Sequence, residues 1–179
     1  NFEAKDVHGE WDHYIVENDG SYGWTPTGDG VALKIKWDRP LYIENPHYLR
    51  LTVTKAGEGV RNKAYDGIYL QKGMGYTISF HARSYDYKGK LQVGVFAGGK
   101  PVLAKKVRLR PDGKWHRYEF HAKSRAELDR ASFEVRMTEA GAIHVDCFSM
   151  IPDNAVKGIF RRDLAEMLRD LKPKFVRFP

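Results

Sequence analysis

The sequence predicts an all-β fold, an antiparallel β-sandwich of jelly-roll type, with a short α-helix and one further strand at its C-terminal end. Three observations carry that expectation. From about Val31 to Met150, apolar and polar residues alternate in short runs, the two-residue period of a half-buried strand. Each run closes on glycine, proline, asparagine or aspartate, the residues that tight turns require. After Pro152 the period changes to that of an amphipathic helix.

The first thirty residues, rich in Gly, Asp and Trp, read as loop and irregular edge. Leu49, Leu51 and Val53 form an early alternating run. The pattern is clearest in Tyr76-Thr77-Ile78-Ser79-Phe80-His81-Ala82-Arg83. Successive strand side chains point to opposite sides, so Tyr76, Ile78, Phe80 and Ala82 share a core face and Thr77, Ser79, His81 and Arg83 a wet one. Leu91, Val93 and Val95 repeat it, as do Tyr118 with Phe120, then Phe133, Val135 and Met137, and finally Ile143 with Val145. Between the runs lie turn segments such as Lys72-Gly73-Met74-Gly75, Ala97-Gly98-Gly99-Lys100-Pro101 and Arg110-Pro111-Asp112-Gly113. Glycine supplies positive φ and proline presets the first turn residue, which makes hairpins the economical connection. With no helical period between the strands, the sheets must be antiparallel.

Phe160, Leu164, Met167, Leu168 and Leu171 fall on one stripe of a helix running from about Arg161 to Leu171, and Pro173 stops it. Lys174-Phe175-Val176-Arg177-Phe178-Pro179 then reads as a strand. A helix followed by an apolar strand is half of a βα repeat, whose strand lies between neighbours in a parallel sheet. This chain offers no such neighbours, so it is expected to be a piece of a longer protein. The sandwich is assigned to 1–156 and the helix and strand to 157–179.

Composition fits one domain. The 179 residues, 42% hydrophobic and 30% charged, suffice for one complete core. The single cysteine, Cys147, excludes an intramolecular disulfide and a cysteine-rich zinc module. No apolar run is long enough for a membrane helix, and Asn1-Phe2-Glu3 has neither the basic start nor the apolar stretch of a signal peptide. The net charge of +7 raises the question of a polyanion. From Lys157 to Arg177, seven basic residues face three acidic ones, which accounts for +4 and leaves +3 for everything before. Along the first 150 residues lysines and acids intermingle, so a solvated mixed-charge surface is favoured over a nucleic-acid site.

The stretch from Phe160 to Pro179, with Arg162-Asp163-Leu164-Ala165-Glu166-Met167-Leu168 and Leu171-Lys172-Pro173-Lys174-Phe175, resembles the segment that leads into the catalytic barrel of family 51 glycoside hydrolases, the α-L-arabinofuranosidases. Asn1-Phe2-Glu3 is similar to the "NRxFE" motif of the same enzymes. Between these markers many members carry an inserted β-sandwich similar to carbohydrate-binding modules of families 4 and 9, a galactose-binding-like jelly roll. Asn45-Pro46-His47-Tyr48-Leu49-Arg50-Leu51, Tyr65-Asp66-Gly67-Ile68, Lys72 to Ser84, Trp115 to Phe120 and Val145 to Pro152 resemble that insert.

The resemblance implies a carbohydrate-binding-like domain of an enzyme that trims arabinofuranosyl branches from arabinoxylan, arabinan or related plant cell-wall polysaccharides. Its other partner is the catalytic barrel of the same polypeptide, with no nucleic acid and no membrane involved. A secreted or periplasmic setting is favoured over the cytoplasm. The retaining mechanism of that family uses two glutamates about 5 Å apart. Both lie on later barrel strands, so this chain alone is expected to be inert. Glu119 and Glu134 are not promoted in their place, because acids on sandwich surfaces are solvated far more often than catalytic.

A sugar site needs aromatic platforms and fixed polar groups. Arg83 is the first candidate, since a planar guanidinium suits paired hydroxyls; Tyr85 and Tyr65 follow. His81 shares the wet face, and Gln92 is placed beside it on the next strand. Trp24, with Tyr69, Tyr87 and Trp11, sits in or near loops that frame such a surface. Against this, tyrosine and tryptophan in sandwiches more often seal edges than stack on sugar, Trp115 reads as structural, and a purely structural or protein-interaction sandwich is the alternative. The resemblance also implies one structural calcium ion at Glu3 and Asp146, the "FE" and "VDxxS" positions. Asp146 has other uses open to it: satisfying a backbone amide, or pairing with an arginine.

Overall fold

The computed structural model describes residues 23–64 and 66–175. Eleven strands and one helix are formed among them: β1 (Trp24–Pro26), β2 (Val31–Lys36), β3 (Tyr48–Val53), β4 (Gly59–Asn62), β5 (Ile68–Leu70), β6 (Gly75–Arg83), β7 (Lys90–Ala97), β8 (Lys100–Arg108), β9 (His116–Lys123), β10 (Leu128–Met137), β11 (Gly141–Pro152) and α1 (Arg162–Asp170). Every strand pairing is antiparallel. Sheet A runs in the order β1-β4-β10-β7-β8, with β5 also paired to β10. Sheet B runs β2-β3-β11-β6-β9. The antiparallel β-sandwich expected from the alternation is what forms.

The core lies between the sheets and takes one face of each. Leu49, Leu51 and Val53 of β3, Ile78 and Phe80 of β6, and Ile143 and Val145 of β11 are buried from sheet B. Leu91, Val93 and Val95 of β7 and Val135 and Met137 of β10 close on them from sheet A. Phe80 stacks on Tyr118 and on Phe148, with ring centroids 5.4 and 5.8 Å apart. Burying this much apolar surface is the main stabilisation of a fold without disulfides.

Strands β4, β5 and β8 escape the sequence reading, as does the three-residue β1, which lies in the stretch read as loop and irregular edge. Strands β4 and β5 are short. In β8 the alternation is broken by Lys105-Lys106, and the strand forms one edge of sheet A, where Lys100, Lys105 and Arg108 are exposed. The helix agrees with expectation to within a residue at each end, but none of its residues is buried. Lys174 and Phe175 are not in a strand; the remainder of the expected C-terminal strand lies outside the described residues.

Candidate functional site

Strand β6 presents Thr77, Ser79, His81 and Arg83 away from the core, as its period requires. Cross-strand register then determines their neighbours on sheet B. His81 lies opposite Asp146 on one side and Arg117 on the other, and Arg83 lies opposite His144. The segment 37–47, between β2 and β3, folds over this face: the ring of its Tyr42 stands 6.3 Å from that of His81.

Arg83 fastens the segment. Its Nη1 donates to the carbonyl of Arg39 at 2.7 Å, its Nη2 to the Tyr48 hydroxyl at 2.8 Å, and its Nε to Nδ1 of His144 at 3.1 Å. The Tyr48 hydroxyl in turn donates to the Asp38 carbonyl at 2.7 Å. Trp115 adds a second donor to the Arg39 carbonyl through Nε1 at 3.1 Å. The guanidinium is sandwiched among rings, with its carbon 4.9 Å from the Trp115 centroid, 5.1 Å from Tyr48 and 5.8 Å from Tyr85. At 3% exposure, Arg83 is a buried clamp and does not offer its donors to a ligand.

Tyr85 does face outward, at 50% exposure. Its ring lies over Gly113, where a Cβ would come within 2.8 Å of it, and meets His144 edge-on at 6.0 Å. Trp115, also against Arg83, is half-buried. Two rings, one of them half exposed, thus meet one buried positive charge, an arrangement that can offer an apolar ring face beside polar groups.

Burial and nearby positive charge disfavour protonation of His144 and His81 on this face. Burial, then the charges of Arg83 and Arg50, bring His144 down to about 4. Burial, then Arg117, lowers His81, whose buried Nδ1 has no hydrogen-bond partner among the described residues. Burial chiefly raises the Tyr48 phenol.

The other sequence candidates do not join this cluster. Gln92 is not beside β6: β7 pairs with β10 and β8 in sheet A, so Gln92 is on the opposite outer face, across from Arg136 and Lys106. Strands joined by a short turn need not pair, and here the β6–β7 connection crosses between sheets. Trp24 belongs to β1 of sheet A and packs inward against Phe133 and Phe148, with centroids 6.4 and 5.1 Å apart. Tyr65 and Trp11 lie outside the described residues. The sequence reading passed over Tyr48 and His144 and gave Trp115 a structural role only. The alternation of Tyr48-Leu49-Arg50-Leu51 and of Ile143-His144-Val145 already places Tyr48, Arg50 and His144 on the outer face.

Glu119 and Glu134 lie on different sheets. Glu119 is exposed and pairs with Arg117. Glu134 is 2% exposed and held by Arg136 Nε at 2.6 Å and the Ser132 hydroxyl at 2.8 Å. A cavity of about 810 Å³ opens between one end of the sandwich and α1, lined by Trp24, Phe133, Phe148 and Met150. The charges on its rim are matched among themselves, Arg161 with Asp163 and Arg162 with Glu166.

Asp146 is buried where β11 bulges between Asp146 and Ser149, and its carboxylate accepts the backbone N–H of Cys147 at 2.7 Å. Satisfying a backbone amide is therefore one of its uses. Glu3 lies outside the described residues. Among the described residues, no three His, Cys, Asp or Glu side chains converge as a metal site does, and no helix is long and apolar enough to cross a membrane.

No family model matches the chain. It is 29% identical over 168 residues to alpha-L-arabinofuranosidase 1 of Arabidopsis thaliana, covering 87% of this chain and 25% of that protein. It is 30% identical over 174 residues to an extracellular exo-alpha-L-arabinofuranosidase of Streptomyces chartreusis, covering 93% of this chain and 20% of the relative. An arabinose-bound family 51 α-L-arabinofuranosidase structure superposes with a TM-score of 0.78 at 25% identity, over 89% of this chain and 28% of that one. A xylan-binding domain of carbohydrate-binding-module family 22 from Paenibacillus barcinonensis shares the fold, with a TM-score of 0.53 at 19% identity over 75% of this chain and 88% of that one. The chain thus spans about a quarter of the length of the relatives it matches. The resemblance read from its sequence, to the carbohydrate-binding-module-like part of family 51 arabinofuranosidases, is borne out.

Proposed function

We propose that this chain is the non-catalytic, carbohydrate-binding domain of a larger retaining α-L-arabinofuranosidase, and that it holds arabinose-substituted plant polysaccharide, arabinoxylan or arabinan, near that enzyme's active site. The segment 157–179 is then the lead-in to the catalytic barrel, and the whole protein works outside the cytoplasm, as the Streptomyces relative's description as extracellular supports. The observation that carries the reading is the half-exposed Tyr85, seated on Gly113 beside the buried Arg83, whose guanidinium also meets the Trp115 ring. A ring platform needs a fixed orientation to give affinity without an ordering cost. One open face makes few buried contacts, so affinity is expected near the millimolar level, about −4 kcal/mol.

Calorimetric titration of arabinoxylan- and arabinan-derived oligosaccharides into the chain and into Tyr85→Ala tests this. Saturable binding by the first and at least tenfold weaker binding by the second is expected. Heat signals that match buffer alone overturn it. The second reading, a sandwich that supports the barrel and binds no sugar, is favoured by the burial of Arg83 and would be left standing by that result.

A structural calcium ion at Glu3 and Asp146 belongs to the same proposal. Its support is a carboxylate kept 2% exposed at a strand bulge, a position where a cation would add to the donor that the Cys147 amide already supplies. A melting midpoint that is equal in calcium and in chelator removes the ion.

A further inference from the structure

Across the outer face of sheet B, four residues stand directly opposite one another on four adjacent strands. Lys34 of β2 faces Arg50 of β3, Arg50 faces His144 of β11, and His144 faces Arg83 of β6. Like charges directly opposite on neighbouring strands destabilise a sheet. Lys34 and Arg50 are both exposed, and neither makes an ion pair among the described residues. Two acids adjoin the row. Asp38 is committed to Lys36 at 2.9 Å and to the Tyr48 hydroxyl, while Asp146, in the neighbouring row, is buried with its carboxylate turned to the Cys147 amide. After burial, the charges of Arg83 and Arg50 are the next causes that disfavour protonation of His144, with Asp38 acting the other way and Lys36 with them.

The next row on the same face is Ala32, Thr52 and Ala142, again in register. These short side chains leave a shelf beside the cations. At the far end of the shelf stands Tyr85, two residues past Arg83 and edge-on to His144. A shelf with an aromatic ring at one end and two unpaired cations along its side matches a sugar ring that also carries a negative charge. Guanidinium and carboxylate pair through parallel hydrogen bonds, which fixes orientation as well as adding attraction.

We infer that the saccharide held at Tyr85 is anionic: the row Lys34–Arg50 makes this face selective for a glycan bearing uronic-acid carboxylates over a neutral one. The inference rests on the carbohydrate-binding reading and narrows it to a charge class. Arg50 and Lys34 hold the carboxylate while Tyr85 takes the ring face.

The test uses three oligosaccharides of equal length on the whole chain: a uronate oligomer, its methyl ester, and a neutral arabinoxylan oligomer. The free acid is expected to bind at least tenfold more tightly than the ester. That advantage should shrink to less than threefold in the double variant Lys34→Gln/Arg50→Gln and fall as salt is raised from 20 to about 200 mM. Both side chains are exposed, so the variant is expected to fold, and its melting midpoint checks this. Equal affinity for acid and ester overturns the inference while leaving the carbohydrate-binding reading intact. Absence of binding to all three overturns both. A DNA oligomer bound as tightly as the uronate identifies a general polyanion surface and also overturns it.

Discussion

The Nε–H of Arg83 donates to Nδ1 of His144 at 3.1 Å, and because a guanidinium can only donate, the imidazole must keep Nδ1 bare and carry its proton on Nε2. A protonated His144 cannot accept that bond, and it would add a charge beside Arg83 and Arg50.

A pH dependence with a definite sign follows. His144 titrates near 6.5 in an unfolded chain and at about 4 in the folded one. Between those values the unfolded chain takes up a proton that the folded chain refuses. The stabilising contribution is therefore fully present above about 6.5 and is lost as the pH falls toward 4, by on the order of 1–3 kcal/mol. His81 shifts in the same direction. Melting midpoints from pH 8 to 4 should fall less steeply for His144→Gln, whose amide oxygen can still accept; parallel curves for the two proteins would count against the assignment.

Replacing the clamp should free the segment it holds. Arg83→Met removes three hydrogen bonds and leaves the Arg39 carbonyl with Trp115 alone. A loss of about 2–4 kcal/mol is expected, from three hydrogen bonds of a buried side chain removed and the Tyr48 and His144 acceptors left unpaired by it. Chemical denaturation gives the size. Limited proteolysis gives the place, with new cleavage between Trp37 and His47; an unchanged digestion pattern would mean the segment is held by something else.

Gly113 should matter to binding more than to folding. Its φ of +72° and the Tyr85 ring 2.8 Å from its missing Cβ both oppose a larger residue. Gly113→Ala is expected to cost roughly 1–2 kcal/mol in stability and to tilt the Tyr85 ring. Calorimetry should show a several-fold loss of saccharide affinity, approaching that of Tyr85→Ala. Full affinity in Gly113→Ala would show that the ring does not need this seat.

Deleting 158–179 should leave the sandwich folded, because α1 contributes no buried residue and the core is complete without it. The expected result is a melting midpoint within a few degrees of the parent and retained near-ultraviolet circular dichroism. A molten product would make the C-terminal segment integral to the sandwich.

The fold was legible because strand alternation is a local signal: Ile78 and Phe80 announce their face within a few residues, and so does Val135 beside Met137. The helix was legible for the same reason. Sheet membership is not, since nothing within β6 or β7 says whether they pair, and Gln92 ends on the outer face of the other sheet. The site was half legible. Period two correctly turned Arg83 outward, but outward meant solvent only until the segment 37–47 was laid over it, a contact between residues far apart in the chain. The row Lys34, Arg50, His144 and Arg83 is invisible to any charge count along the sequence, because four strands contribute one residue each.

The cation-rich border of sheet A has a bearing on how concentrated a solution of this protein can become. An uncovered strand invites another molecule to extend the sheet. Two copies approaching through β8 would bring Lys100, Lys105, Lys106 and Arg108 of each into near contact, a mutual repulsion that keeps the molecules apart. Shielding by added electrolyte weakens that barrier, so self-association should be sought at high ionic strength rather than in dilute buffer.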